Sequence, residues 1–124
     1  MKVCKTFQWD AAHHLALPYS SKCVNIHGHT YLVAVTVEGP IDKNGMVLDF
    51  SVLKEWVEKC SFDHKYLNDD FKYFFDTNPT AENIVLWLKE NLELARLHIK
   101  IKLPKICKIR VWETSNSYAE EEFV

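Results

Sequence analysis

Glycine is scarce in this chain, with three among 124 residues. No Gly-x-Gly-x-x-Gly run occurs, so nothing resembles the turn that holds a dinucleotide pyrophosphate. No Cys-x-x-Cys pair is present either, which excludes a zinc ribbon and a thioredoxin-type redox motif. The absence of any run of about 18 apolar residues leaves no candidate for a membrane-spanning helix. Charge is balanced: 15 Lys+Arg against 17 Asp+Glu give a formal net charge of -2. Neither a nucleic-acid surface nor an anionic membrane finds an electrostatic footprint here.

A hydrophobic fraction of 48% and an aromatic fraction of 13% supply a core, and the length suits one domain covering residues 1–124. Cysteines stand at Cys4, Cys23, Cys60 and Cys107, widely spaced. The N-terminus Met1-Lys2-Val3-Cys4-Lys5-Thr6 lacks an apolar signal core, so a reducing cytoplasm with free thiols is expected. Cys4, Cys60 and Cys107 fall in apolar patterns and read as core residues.

Residues 2–9 and 29–38 have strand character, and on the second strand Tyr31, Val33, Val35 and Val37 share a face with His27 and His29. Asp49 is placed to cap a helix over 50–60 that buries Phe50, Leu53, Trp56, Val57 and Cys60. Thr80 caps a second helix with Ala81, Ile84, Leu88, Leu92 and Ala95 as its apolar stripe. Its end is ambiguous, since Ile99, Ile101 and Leu103 also alternate as in a strand. Strands are expected again over 105–114 and 117–123, giving the order ββααββ.

The chemistry concentrates in Cys23-Val24-Asn25-Ile26-His27-Gly28-His29. Imidazoles at i and i+2 of a strand project from one face and can grip one metal ion. His13 offers a third, and three neutral histidines suit a zinc ion with an open fourth position, the arrangement of a catalytic site. A His-x-His pair alone is weak, and a strand histidine is more often an ordinary core or surface residue. Cys23 is either a reactive thiol beside the metal or a fourth ligand that closes the site. A zinc deaminase is excluded by the lack of His-x-Glu and Pro-Cys-x-x-Cys.

Six ordered motifs carry a family likeness: Ala11-Ala12-His13, Cys23 through His29 with Tyr31, Gly45 through Phe50, Asp63-His64-Lys65-Tyr66-Leu67-Asn68, Pro79-Thr80-Ala81-Glu82-Asn83, and Glu113-Thr114. On these residues the chain resembles the 6-pyruvoyltetrahydropterin synthase family. Within it, the three residues between Cys23 and His27 resemble the queuosine-pathway branch that makes 6-carboxy-5,6,7,8-tetrahydropterin, because the pyruvoyl branch usually has a longer gap. His14 stands where many relatives carry arginine.

The resemblance implies an α+β tunnelling-fold subunit. An antiparallel four-stranded sheet with two helices on one face would assemble into a homo-oligomeric β-barrel, a hexamer more readily than a tetramer. It implies a Zn²⁺ cofactor on His13, His27 and His29, a catalytic thiol at Cys23, and a proton relay through Asp63 and His64. Glu113 would anchor the pterin and share the relay, with Thr114 and Thr80 also at the substrate.

The implied reaction is a lyase step on 7,8-dihydroneopterin triphosphate that releases triphosphate and acetaldehyde, with no nicotinamide or flavin. Two alternatives stand beside it: retention of the three-carbon side chain as 6-pyruvoyltetrahydropterin, or a noncatalytic zinc or pterin-binding module. Glu113 closes the alternation Cys107-Ile109-Val111 and so points to the core side, where a carboxylate needs a partner. A salt bridge to a lysine or arginine is the plainer expectation for it.

Overall fold

The computed structural model describes residues 1–124. Period-2 patterning forms two long strands, β1 (Lys2–His13) and β2 (His27–Glu38), paired antiparallel from Lys2 opposite Glu38 to His13 opposite His27. Helix α1 (Phe50–Glu58), strand β3 (Lys65–Tyr66), the single turn α2 (Leu67–Asp70) and helix α3 (Ala81–Ala95) follow. Strands β4 (Lys105–Thr114) and β5 (Ser117–Glu122) close the chain. The sheet order is β3-β1-β2-β4-β5.

One sheet face buries Phe7, Trp9, Tyr31, Val33, Val35, Val37, Ile109 and Val111, and these join Leu53, Trp56, Ile84, Leu88 and Leu92 of the helices in one core. Each such side chain contributes about 1.5–3 kcal/mol when fully removed from water. Both long helices begin with side-chain caps. Asp49 accepts the Ser51 N–H at 2.8 Å, and Thr80 accepts the Asn83 N–H at 3.2 Å. These caps satisfy amides that have no partner within their helix.

The sheet has five strands and is mixed, which corrects the expected four-stranded antiparallel arrangement. The additional strand, β3, pairs parallel to β1 through Ala11–Lys65 and Ala12–Tyr66. A two-residue strand has no periodicity to read, and only its docking against β1 creates it. A third α-helix, α2, follows directly and is a single turn of four residues.

Cys4 is exposed rather than in the core, because β1 alternation places it with Thr6 and Gln8 on the sheet face that the helices do not cover. Phe50 is exposed as well, at the first position of α1. Cys60 and Cys107 are buried as expected, and burial pushes the Cys60 thiol up to about 11.

The ambiguous stretch after α3 is neither helix nor strand. A single 3-10 turn (Arg96–His98) leads into irregular chain. The reason is Arg96, whose guanidinium donates to the Leu103 carbonyl at 2.9 Å and the Pro104 carbonyl at 3.1 Å. It also pairs with Glu93 at 2.9 Å and lies 4.8 Å over the Trp56 ring. Carbonyls that a neighbouring strand would otherwise satisfy are thus held by one side chain. No helix of the chain is long and apolar enough to cross a membrane.

Candidate active site

The antiparallel register sets the centre of the site. His13 ends β1 opposite His27, which begins β2, and His29 follows opposite Ala11. All three project to the helix-covered face, with ring centroids 4.6, 5.1 and 4.9 Å apart. One nitrogen from each lies within 4.8 Å of the others, so the three together can hold a metal ion.

The tautomers favour a cation. His13 Nδ1–H donates to the Pro79 carbonyl at 2.8 Å, and His27 Nδ1–H donates to the Asn25 carbonyl at 2.7 Å. Each neutral ring therefore carries its proton at Nδ1 and presents a lone pair at Nε2, the orientation in which second partners commonly fix a metal-binding histidine. The two Nε2 atoms face each other at 3.0 Å. With both rings in the neutral form and their protons at Nδ1, this contact sets two lone pairs in opposition. His29 Nε2 is buried with no hydrogen-bond partner at all. A buried polar atom without a partner is costly, and a metal ion bound by all three nitrogens removes both defects. Burial holds the pKa values of His13 and His29 below the ordinary imidazole value, so both are neutral and ready to ligate near pH 7.

Glu113 has its predicted direction but not the lysine or arginine partner that a plain core reading expects. Its Oε1 lies 3.5 Å from His29 Nε2 and its Oε2 4.0 Å from His13 Nε2, with the side chain about one-third exposed. The carboxylate is turned toward the histidines and remains reachable from solvent. Tyr31 is fully buried beneath, its hydroxyl 3.2 Å from His13 Nδ1. Burial, followed by the nearby Glu113 charge, keeps its phenol protonated by raising its pKa.

Cys23 sits in a 3-10 turn (Lys22–Val24) capped by Ser21, whose Oγ accepts the Cys23 N–H at 3.2 Å. Its side chain is half-buried, and it is not one of the three residues that converge on a common metal position. The turn ties back to the chain beyond β1 through Leu15 N–H donating to the Cys23 carbonyl at 2.8 Å.

Asp63 and His64 do pair, at 2.9 Å between Oδ2 and Nδ1. Strand alternation would have pointed them apart, but His64 is left-handed with φ 60°, which brings its ring back to its neighbour. Such a conformation strains a residue with a side chain. It is held by His64 N–H to the Asp10 carbonyl at 2.6 Å and by the Asp10 N–H to Asp63 Oδ1 at 2.8 Å. The Asp10 amide, then the His64 ring, keeps the Asp63 carboxyl below the ordinary range.

The dyad is nevertheless not joined to the histidine centre. His64 is 81% exposed, and Asp63 is its only side-chain partner. Within one chain, the Asp63–His64 pair makes no hydrogen bond to Cys23, Glu113 or the three histidines. Thr80 is engaged as the α3 cap, and Thr114 donates to Asn116 in the β4–β5 turn at 3.0 Å.

Sequence reasoning missed the carbonyls of Pro79 and Asn25, and Tyr31 as a buried neighbour of His13. Pro79 lies 66 positions from His13, a separation that no local pattern reports.

A family profile described as 6-pyruvoyl tetrahydropterin synthase matches residues 2–122. A Pyrococcus horikoshii protein provisionally named 6-carboxy-5,6,7,8-tetrahydropterin synthase is 37% identical, covering 98% of this chain and 90% of its own length. The Homo sapiens 6-pyruvoyl tetrahydrobiopterin synthase is 33% identical over 94% of this chain and 87% of its own. The solved structure of Caenorhabditis elegans 6-pyruvoyl tetrahydropterin synthase superposes with a TM-score of 0.84 at 25% identity, covering 100% of this chain and 96% of that one.

Proposed function

Because the chain belongs to the 6-pyruvoyl tetrahydropterin synthase family, we propose that it is a zinc-dependent lyase. It acts on 7,8-dihydroneopterin triphosphate as one catalytic domain and yields 6-carboxy-5,6,7,8-tetrahydropterin, triphosphate and acetaldehyde, a step toward queuosine. The observation that carries the reading is the set of three converging imidazoles, with His13 and His27 turned Nε2-first by their Nδ1 hydrogen bonds and His29 Nε2 buried without a partner. Zinc held there would supply Lewis acidity, drawing electron density from the substrate's side-chain oxygens and making the adjacent C–H bonds more acidic.

The remaining work falls to this chain's own groups. Cys23 serves as the base, with its sulfur outside the converging ligand set and its turn tied beside His13. Asp63 fixes the His64 tautomer with the proton at Nδ1, so Nε2 faces solvent and is free to exchange protons. Since the exposed dyad makes no hydrogen bond to the histidines within a chain, the reading includes a barrel-like homo-oligomer in which a neighbouring copy completes the site. The outer edge of β1, which β3 covers only at Ala11 and Ala12, and the free edge of β5 are suited to such joining.

Overall identity does not separate the carboxy and pyruvoyl branches, at 37% and 33% for the two relatives. The three-residue gap from Cys23 to His27 supports the carboxy product. Incubation of the zinc-loaded protein with dihydroneopterin triphosphate is expected to release acetaldehyde, from a species several times the 14.5 kDa subunit by light scattering. A 6-pyruvoyl product without acetaldehyde assigns the other branch, and an active monomer refutes the assembly.

Glu113 is the proposed anchor for the pterin, accepting two hydrogen bonds from its amino-pyrimidinone edge, a match that a carboxylate makes well. Its exposed fraction beside His29 supports that placement. Glu113→Gln exchanges one acceptor for a donor and is expected to weaken pterin binding by about tenfold or more, from a mismatch of roughly 1–3 kcal/mol. Zinc content should hold. Unchanged affinity in a fluorescence titration returns Glu113 to a purely structural role.

A further inference from the structure

We propose that Asn68 and Asn78 are positioning residues for the Cys23 thiol, gripping the chain just beyond His13 so that it holds the cysteine turn in place. The inference rests on the reading above in which Cys23 is the base. Asn68 makes two hydrogen bonds to one backbone residue: its Oδ1 accepts the His14 N–H and its Nδ2 donates to the His14 carbonyl, both at 2.9 Å. Asn78 repeats the pattern two residues later, accepting the Ala16 N–H at 2.8 Å and donating to the Ala16 carbonyl at 2.9 Å. A primary amide used this way replaces the donor and acceptor of a missing neighbouring strand.

The spacing explains the consequence. In extended chain, the backbone groups of residues i and i+2 face one edge and those of i+1 face the other. With His14 and Ala16 held on the Asn side, Leu15 N–H is directed away, and it donates to the Cys23 carbonyl at 2.8 Å. The sheet order is consistent with this. Asn68 follows closely after β3 and Cys23 closely precedes β2, the strands that flank β1 on either side.

The clamp is itself anchored and linked to the histidine centre. Asn83 Nδ2 donates to the Asn78 carbonyl at 2.9 Å, so α3 fixes Asn78. The next residue, Pro79, supplies the carbonyl that orients His13. One segment at the start of α3 therefore sets both a metal-facing imidazole and, through Ala16 and Leu15, the thiol. Since a displacement of about 1 Å at a reacting group can cost around 10²-fold in rate, such a brace has a catalytic consequence.

The test uses Asn68→Asp and Asn78→Asp in the full-length zinc-loaded protein. Each keeps the oxygen that accepts the N–H but puts a second oxygen against the backbone carbonyl, opening the clamp with little change in shape. A Cys4→Ser background leaves Cys23 as the accessible thiol, since Cys60 and Cys107 are buried. Alkylation of Cys23 by iodoacetamide is expected to change by at least about threefold in rate, with a displaced pH midpoint, because both follow the thiolate's surroundings. The kcat should fall by about tenfold or more with KM within about twofold and metal near one per chain.

Unchanged alkylation rate and midpoint in both folded variants overturn the proposal. If either aspartate variant fails to fold, Asn68→Ser and Asn78→Ser, which shorten the side chain without adding charge, are read the same way. Cys23→Ala separates the two levels: an active Cys23→Ala protein refutes the thiol as base, whereas the alkylation profile still decides whether the asparagines position it.

Discussion

His27→Ala and His29→Ala are each expected to remove bound zinc and reduce turnover by at least about 10³-fold, since a catalytic metal ion in the proposed role supplies several kcal/mol of charge stabilisation. A three-histidine site has no ligand to spare. These two are the clean variants because both side chains lie at the partly exposed rim. His13 is fully buried and bonded to Pro79, so His13→Ala should lose metal and also thermal stability. Full metal occupancy in any of the three, measured by elemental analysis, removes that histidine from the site.

The same histidines carry a pH dependence with a definite sign. Burial lowers the His13 and His29 pKa values from 6.5. Below that value the unfolded chain binds more protons than the folded one, so stability falls as pH falls. The metal-free protein should hold its thermal midpoint above pH 6.5 and lose it progressively on acidification through 6.5 and the lower folded values. A midpoint that rises on acidification over this range contradicts the buried, neutral assignment.

Cys23→Ala is expected to lose activity without losing metal: zinc stays near one per chain while kcat drops by about 10²–10⁴-fold, the range for loss of a general base. The geometry behind this is that His13, His27 and His29 converge on a common position without the thiol. Loss of metal in Cys23→Ala, or a sulfur-to-metal band in the cobalt-substituted protein, makes Cys23 a ligand. That outcome favours the closed, noncatalytic module over the enzyme.

The sequence by itself determined the parts that depend on local period and local chemistry. Alternation in β2 set Tyr31 and the valines on one face with His27 and His29, and the helix caps at Asp49 and Thr80 are where short polar side chains meet unpaired amides. The β4 alternation likewise aimed Glu113 at the core side. Tertiary structure alone decided what joins residues far apart in the chain. It turned His64 back onto Asp63 through a left-handed backbone, and made Lys65-Tyr66 a strand by docking them on β1. It brought Pro79 to His13, and placed Asn68 and Asn78 against His14 and Ala16. It also left the Asp63–His64 pair exposed, with no hydrogen bond to the histidines of its own chain. The physical reason is that periodicity reports which face a residue occupies, whereas partner choice depends on register and on hydrogen-bonding groups that only the folded chain brings within about 3 Å of each other.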